Sequence, residues 1–202
     1  MGFDYLDVIY SSTLPDDLPL EVVVESISGL LESGKARHWA IVNWPGEMLE
    51  RAGELCEANG VPQPCAAQLP HNLVRRDWVE SEPMRRALLR TGASVVASSV
   101  MAGGALTGKY SQGGTGRLSG QSGQRVRSAV EGPVRELVAL AREWGTTTAA
   151  LAIAFALSAG SVASVLFGAT TPDQVRENAE AIPLFHQLDD ERRERLRGIG
   201  VR

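Results

Sequence analysis

DYLDVIYSS (residues 4–12) interleaves apolar and acidic positions, stops in a polar pair, and gives way to the proline-closed loop TLPDD (13–17). Such a run reads as a β-strand. In parallel α/β proteins the C-terminal ends of strands are where ligands and catalytic groups collect. Two architectures accommodate this stretch. It is either the first strand of an open doubly wound sheet or a later strand of a (β/α)8 barrel, and the remainder of the chain has to decide.

Downstream, strand and helix patterns alternate. Leu20, Val23, Val24, Ile27, Leu30 and Leu31 recur at spacings of three and four and give a helix over 19–33, stopped by Gly34. ARHWAIVN (36–43) is a second buried strand. Pro45 suits the first turn of a helix over 46–59, and Asn59-Gly60 closes it. CAAQL (65–69) is a third strand, 79–90 a helix and ASVVASS (93–99) a fourth strand. A glycine-rich stretch from about 100 to 130 is expected to be a flexible loop within a single domain spanning 1–202. Helices over 134–144 and 148–158 follow, the second more fully buried. SVASVLFGA (161–169) is the fifth strand. TTPDQVRENAEAI is a helix with Thr171 as N-cap and Pro172 at its first position. LDDERRERLRGI is a charged, solvent-facing helix capped by Asp189 or Asp190.

Five βα repeats of this kind mean a parallel sheet with right-handed crossovers. Its strands end in polar residues: Ser11 and Ser12, Asn43, Gln68, Ser98 and Ser99, and Thr170. A barrel would bring all of them to one face.

With 44% hydrophobic and 22% charged residues, the 202-residue chain has the composition of a globular protein rather than a disordered one. A net charge of −4 gives nucleic acid no basic face to bind. No apolar run reaches the roughly 18 residues of a membrane span, and the first residues lack the basic and apolar regions of a leader, so a cytoplasmic protein is expected. Cys56 and Cys65 read as two buried, reduced thiols, with no metal-ligand spacing around them.

Several motifs fail on inspection. GGALTGKY (103–110) spaces Gly103, Gly108 and Lys109 as a phosphate-binding loop does, but Tyr110 stands where a magnesium-binding hydroxyl residue is required. Lys109 remains able to pair with a cofactor phosphate. GTGRLSG (114–120) follows no strand and has the wrong glycine spacing for a dinucleotide fingerprint. His38 and His186 read as structural or surface residues, whereas His71 lies at a strand end near the expected pocket. No G-x-S-x-G elbow exists. GATTPDQVREN (168–178) is more informative: a strand runs through Gly168 to a helix N-terminus, a place that favours phosphate. Gln174, Glu177 and Asn178 fall on one face there.

Taken together, DYLDVIY, LLESGKARHWAIVNW, the Gln68 strand end, SVMAGGALTGKY and SVLFGATTPDQVRENAEAI resemble the aldo-keto reductase family, in particular its potassium-channel beta-subunit branch. The resemblance implies a (β/α)8 barrel of which this chain carries the last five βα units, lacking an N-terminal portion. It implies NADP(H) as cofactor and a small carbonyl compound as substrate. It assigns Asn43 and Gln68 to the nicotinamide carboxamide, and Ser99, Ala102 and Gly104 to the pyrophosphate, with Lys109 after them. Gly168, Thr170, Gln174, Glu177 and Asn178 fall to the adenosine and its 2′-phosphate.

The departures are equally informative. Ser98 stands where the family stacks an aromatic residue on the nicotinamide, Val42 replaces a family serine, and Val100-Met101 replaces Pro-Leu. The family's catalytic Asp, Tyr and Lys belong to the first three βα units, and Ser12 aligns with its catalytic His, so no catalytic residue is assigned. A serine is a poor proton donor at neutral pH, and losing a general acid costs about 10²–10⁴ in rate. The expected protein is an impaired or inactive NADPH-dependent carbonyl reductase. The alternatives are a non-catalytic NADP(H)-sensing or interaction protein, or a non-redox enzyme built around Ser12 and His71. Five strands also leave two open edges, which predicts a homo-oligomer or a partner that covers them.

Overall fold

The computed structural model describes residues 2–15, 17–114 and 116–200. Thr115 of the GTGRLSG stretch lies outside the described residues. Five strands, β1 (Leu6–Ser11), β2 (Ala36–Val42), β3 (Ala66–Pro70), β4 (Ser94–Ser98) and β5 (Val162–Val165), stand in the order β1-β2-β3-β4-β5 in one sheet. β1 pairs in parallel with β2, Ile9 opposite Trp39, and β2 with β3, Val42 opposite Gln68. This is the α/β arrangement expected of part of a (β/α)8 barrel. Two compact units divide the chain: the residues up to Leu69 with Asp77–Val96, and Pro70–Arg76 with the chain from Ala97 onward.

The first unit holds β1 to β3 and four helices, α1 (Leu20–Glu32), α2 (Gly46–Asn59), α3 (Asp77–Glu80) and α4 (Glu82–Thr91). The helix expected over 79–90 is two helices. Ser81 is extended at the N-cap of α4 and Pro83 occupies its first turn, where a proline ring fits but a continuing helix would not. α2 ends as its sequence dictates, with Gly60 in the left-handed region at φ 67°. α2 and α4 approach closely along two glycines. A β-carbon on Gly46 would lie 2.5 Å from Met84 N and Pro83 C, and one on Gly53 would lie 2.9 Å from the Thr91 methyl. Outside this seam, the Arg86 guanidinium grips Glu50 through both carboxylate oxygens and holds that carboxyl below its usual pKa. Beneath it lie Trp39, Ile41, Trp44 and Leu49, all fully buried.

β1 is not the buried strand its apolar residues suggested. β1 is an edge strand, and Leu6, Val8 and Tyr10, which alternate onto one face of it, are exposed. Nor are both thiols buried. Cys56, inside α2, is buried, and desolvation lifts its pKa to about 11, whereas Cys65 precedes β3 and is exposed.

The second unit is mostly helical: α5 (Gln121–Glu143), α6 (Thr148–Leu157), α7 (Pro172–Ala179), α8 (Ala181–Gln187) and α9 (Asp190–Gly198). α5 begins well before the expected residue 134. Its buried residues Val130, Val134, Leu137 and Ala141 continue one apolar stripe, and packing of that stripe overrides the glycines and Pro133 within the helix. The stretch before it contains two 3-10 turns, Ala102–Thr107 and Lys109–Gln112. α6 buries every residue from Ala149 to Phe155, as expected of a helix apolar on all sides. The single helix expected after Thr171 breaks at Glu180 into α7 and α8. Asp189 caps α9, which buries Leu196 rather than facing solvent throughout.

Phe155 is the hub of this unit. His71 stacks on its ring at 5.3 Å, and the Arg76 guanidinium lies 4.7 Å from the ring centroid. Arg76 also donates to the carbonyls of Leu73, Arg197 and Ile199, tying the C-terminal helix to the segment after β3. Among the described residues no helix is long and apolar enough to cross a membrane.

Candidate functional site

The sequence-assigned residues fall in both units. In the first, Asn43 follows β2 in the left-handed region at φ 58°, and its N–H donates to the Gln68 carbonyl at 3.0 Å. Val42 pairs with Gln68, so the two amide side chains stand on adjacent strand ends, Asn43 exposed and Gln68 half-buried. Ser12 follows β1 on the same strand-end side, exposed, and its carbonyl accepts the Trp44 indole N–H at 2.8 Å. Sequence reasoning missed Trp44. A tryptophan directly after a strand end, fully buried, is the signal that it braces a loop.

In the second unit, Ser99 leaves β4 with φ 54°. Ala102 follows at φ 48°, then Gly103 at 67° and Gly104 at 89°. A positive φ costs a residue with a β-carbon, here Ser99 and Ala102, about 1–2 kcal/mol, and persists where surroundings enforce it. The preceding Met101 is right-handed, at φ −101° and ψ 13°. A right-to-left-handed alternation of this kind turns successive N–H groups toward one side and makes anion-binding concavities. The Lys109 side chain folds back on this turn. A β-carbon on Gly104 would lie 3.5 Å from Lys109 Nζ, and one on Gly116 would collide with it. The turn therefore places a cation against a glycine-lined backbone.

At the other end of the unit, Thr171 caps α7 by accepting the Gln174 N–H at 3.3 Å. Gln174 Oε1 in turn accepts from the N–H and hydroxyl of Thr170, at 2.7 and 3.2 Å. Thr170 and Gln174, two of the five residues that the resemblance assigns to the adenosine and its 2′-phosphate, are thus locked on each other at a helix N-terminus. Gly168, Thr170, Gln174 and Glu177 are exposed, whereas Asn178 is buried. The shared face expected for Gln174, Glu177 and Asn178 therefore divides, because α7 packs through Asn178 while Gln174 and Glu177 face solvent.

His38 and His186 are exposed, in keeping with a surface role. His71 departs from expectation. It is completely buried and stacked on Phe155, so its imidazole is a core ring rather than part of a pocket.

The aldo/keto reductase family model matches residues 1–200. The chain belongs to the aldo/keto reductase family. Similar proteins include a putative voltage-gated potassium channel subunit beta of Schizosaccharomyces pombe, 30% identical over 95% of this chain and 58% of that protein. A probable voltage-gated potassium channel subunit beta of Oryza sativa subsp. japonica is 30% identical over 95% of this chain and 60% of its own length. The L-glyceraldehyde 3-phosphate reductase of Escherichia coli K12 is 28% identical over 90% of this chain and 55% of that protein. The chain spans less than two thirds of the length of each of these relatives.

Proposed function

We propose that this aldo/keto reductase chain binds NADP(H) in the cytoplasm as part of a single family-type domain, with weak or no carbonyl reduction of its own. One observation carries the reading. Among the described residues, the non-glycine residues with positive φ are Asn43, Ser99 and Ala102, and each is a position that the family resemblance assigns to the cofactor. Backbone strain concentrates at functional sites.

The residues fit the group. Asn43 and Gln68 offer amide donors and acceptors to a carboxamide. Ser99, Ala102 and Gly104 offer a left-handed backbone turn to a pyrophosphate, and Lys109 its charge. Gly168, Thr170 and Gln174 lie at the α7 N-terminus, whose dipole favours a phosphate, and Glu177 and Asn178 follow in its last turn. When bound, the reduced nicotinamide supplies a hydride to a carbonyl carbon. The proton for the developing alkoxide is the difficulty, because Ser12 offers only a hydroxyl of ordinary acidity.

NADPH titration of the chain should quench tryptophan fluorescence saturably, since Trp44 is the neighbour of Asn43. NADPH should bind at least about tenfold tighter than NADH, a difference of about 1.4 kcal/mol. A fluorescence signal indifferent to NADPH sinks the proposal.

A second reading, a non-catalytic NADP(H) sensor, is favoured by Ser12 and by the channel-subunit names of two relatives. Under it, NADPH binds but its absorbance does not fall when an aldehyde is added. Under the reductase reading it falls slowly.

The open side of β1 also needs a cover, because an apolar edge strand is a template for pairing. We expect the chain to associate with a second copy or with a partner. Light scattering on the purified chain should give a mass above the 21.6 kDa of one copy, and a strictly monomeric mass at high concentration would leave only the separate partner.

A further inference from the structure

We infer that Asn72 is a positioning residue that sets the cofactor-binding turn at 99–104, an assignment that rests on the reading above. Asn72 is buried, 2% exposed, in a unit with few buried polar side chains. Its side chain is used at both ends. Oδ1 accepts the Val74 N–H at 3.0 Å, an Asx turn closed on its own segment. Nδ2 reaches across the fold and donates to the Ser99 carbonyl at 3.0 Å. Its backbone is pinned as well, exchanging hydrogen bonds with Arg75 at 3.0 and 3.1 Å. The donor arm is therefore held from behind.

The carbonyl it meets belongs to Ser99, the first left-handed residue of the turn. Ser99 O accepts from Asn72 Nδ2 and from Ala102 N, the latter at 2.8 Å. Fixing that oxygen fixes the peptide plane between Ser99 and Val100. That orientation is set by rotation about the Cα–C bond of Ser99, so the hydrogen bond holds this left-handed residue, at φ 54°, from its C-terminal side and presents the acceptor that closes the turn on Ala102. A serine in an extended conformation would point the same carbonyl elsewhere. Asn72 thus enforces, from the core side, a backbone shape whose outer side is the proposed pyrophosphate site.

Serine at 72 separates the two bonds, since its hydroxyl still accepts the Val74 N–H but is too short to reach Ser99. Aspartate keeps the Asx turn and faces the Ser99 carbonyl with an acceptor in place of the donor. Asn72→Ser and Asn72→Asp should each raise the Kd for NADPH about five- to tenfold. Adenosine 2′-monophosphate, which occupies only the Thr170–Gln174 end, should bind both variants within about twofold of the parent chain. Hydrogen exchange provides a readout independent of cofactor. The Ala102 and Gly104 amides should exchange at least about tenfold faster in the variants while α6 amides keep their rates. Unchanged exchange at 102–104, unchanged NADPH affinity, or an equal loss of both ligands would overturn the assignment. If the parent chain itself ignores NADPH, the proposed function fails, and the exchange rates alone still decide whether Asn72 holds the turn.

Discussion

Gly46→Val should destabilise the first unit by about 3 kcal/mol, the upper end of what overpacking ordinarily costs. The reason is geometric. Gly46 opens α2 and lies against the first turn of α4, where an added β-carbon would sit 2.5 Å from Met84 N and Pro83 C. Those are backbone atoms, so no rotamer change relieves the contact, and the two helices must separate. Separation would also pull Arg86 from Glu50 and Arg90 from Glu57, pairs that join the same two helices at 2.8 and 3.0 Å. These pairs are exposed and contribute little by themselves. Gly53→Ala should cost less, because its nearest neighbour is the Thr91 methyl, the end of a side chain. Gly29→Ala, in an exposed stretch of α1 with nothing within 4 Å, should be stabilising by about 0.5–1 kcal/mol. Urea denaturation of the three variants tests the order. A Gly46→Val variant as stable as Gly29→Ala would show that α2 and α4 do not pack as described.

Phe155→Ala should cost about 3–5 kcal/mol. Phe155 is 1% exposed, in the middle of α6, and its ring is the surface on which both His71 and Arg76 rest. Truncation leaves a cavity and also removes the ring on which the buried His71 imidazole stacks. Arg76 would retain its carbonyl acceptors at Leu73, Arg197 and Ile199 without the ring beneath it. Phe155→Leu, which keeps most of the volume, should cost well under half as much. Equal losses for the two variants would show that volume is not what the ring supplies.

The parts of this molecule legible in its sequence are those set by neighbours along the chain. α2 runs from Gly46 to Asn59 because Pro45 and Gly60 mark its ends, and Thr171 caps α7 as its hydroxyl predicts. The parts that were not legible depend on residues far apart. Asn72 meets Ser99 across 27 positions, so neither residue announces the other. His71 looked like a site residue because it ends a strand, but only its partner on α6, Phe155, reveals a core ring. The start of α5 was hidden by glycine and serine, whose weak helix propensity yields to packing around Val130 and Val134. For the candidate site, the positions themselves were recognisable from motif resemblance. Their backbone conformations were not, since Asn43, Ser99 and Ala102 carry no local mark of positive φ.

Those three conformations put stability and function in opposition. Glycine at Ser99 or Ala102 would relieve the crowded β-carbon and firm up the fold, while loosening a turn that must be rigid before its ligand arrives. A library of variants selected for thermal endurance should therefore drift toward glycine at these positions. One selected for retention on an immobilised nucleotide should keep serine and alanine, so the two selections would write different sequences onto one backbone.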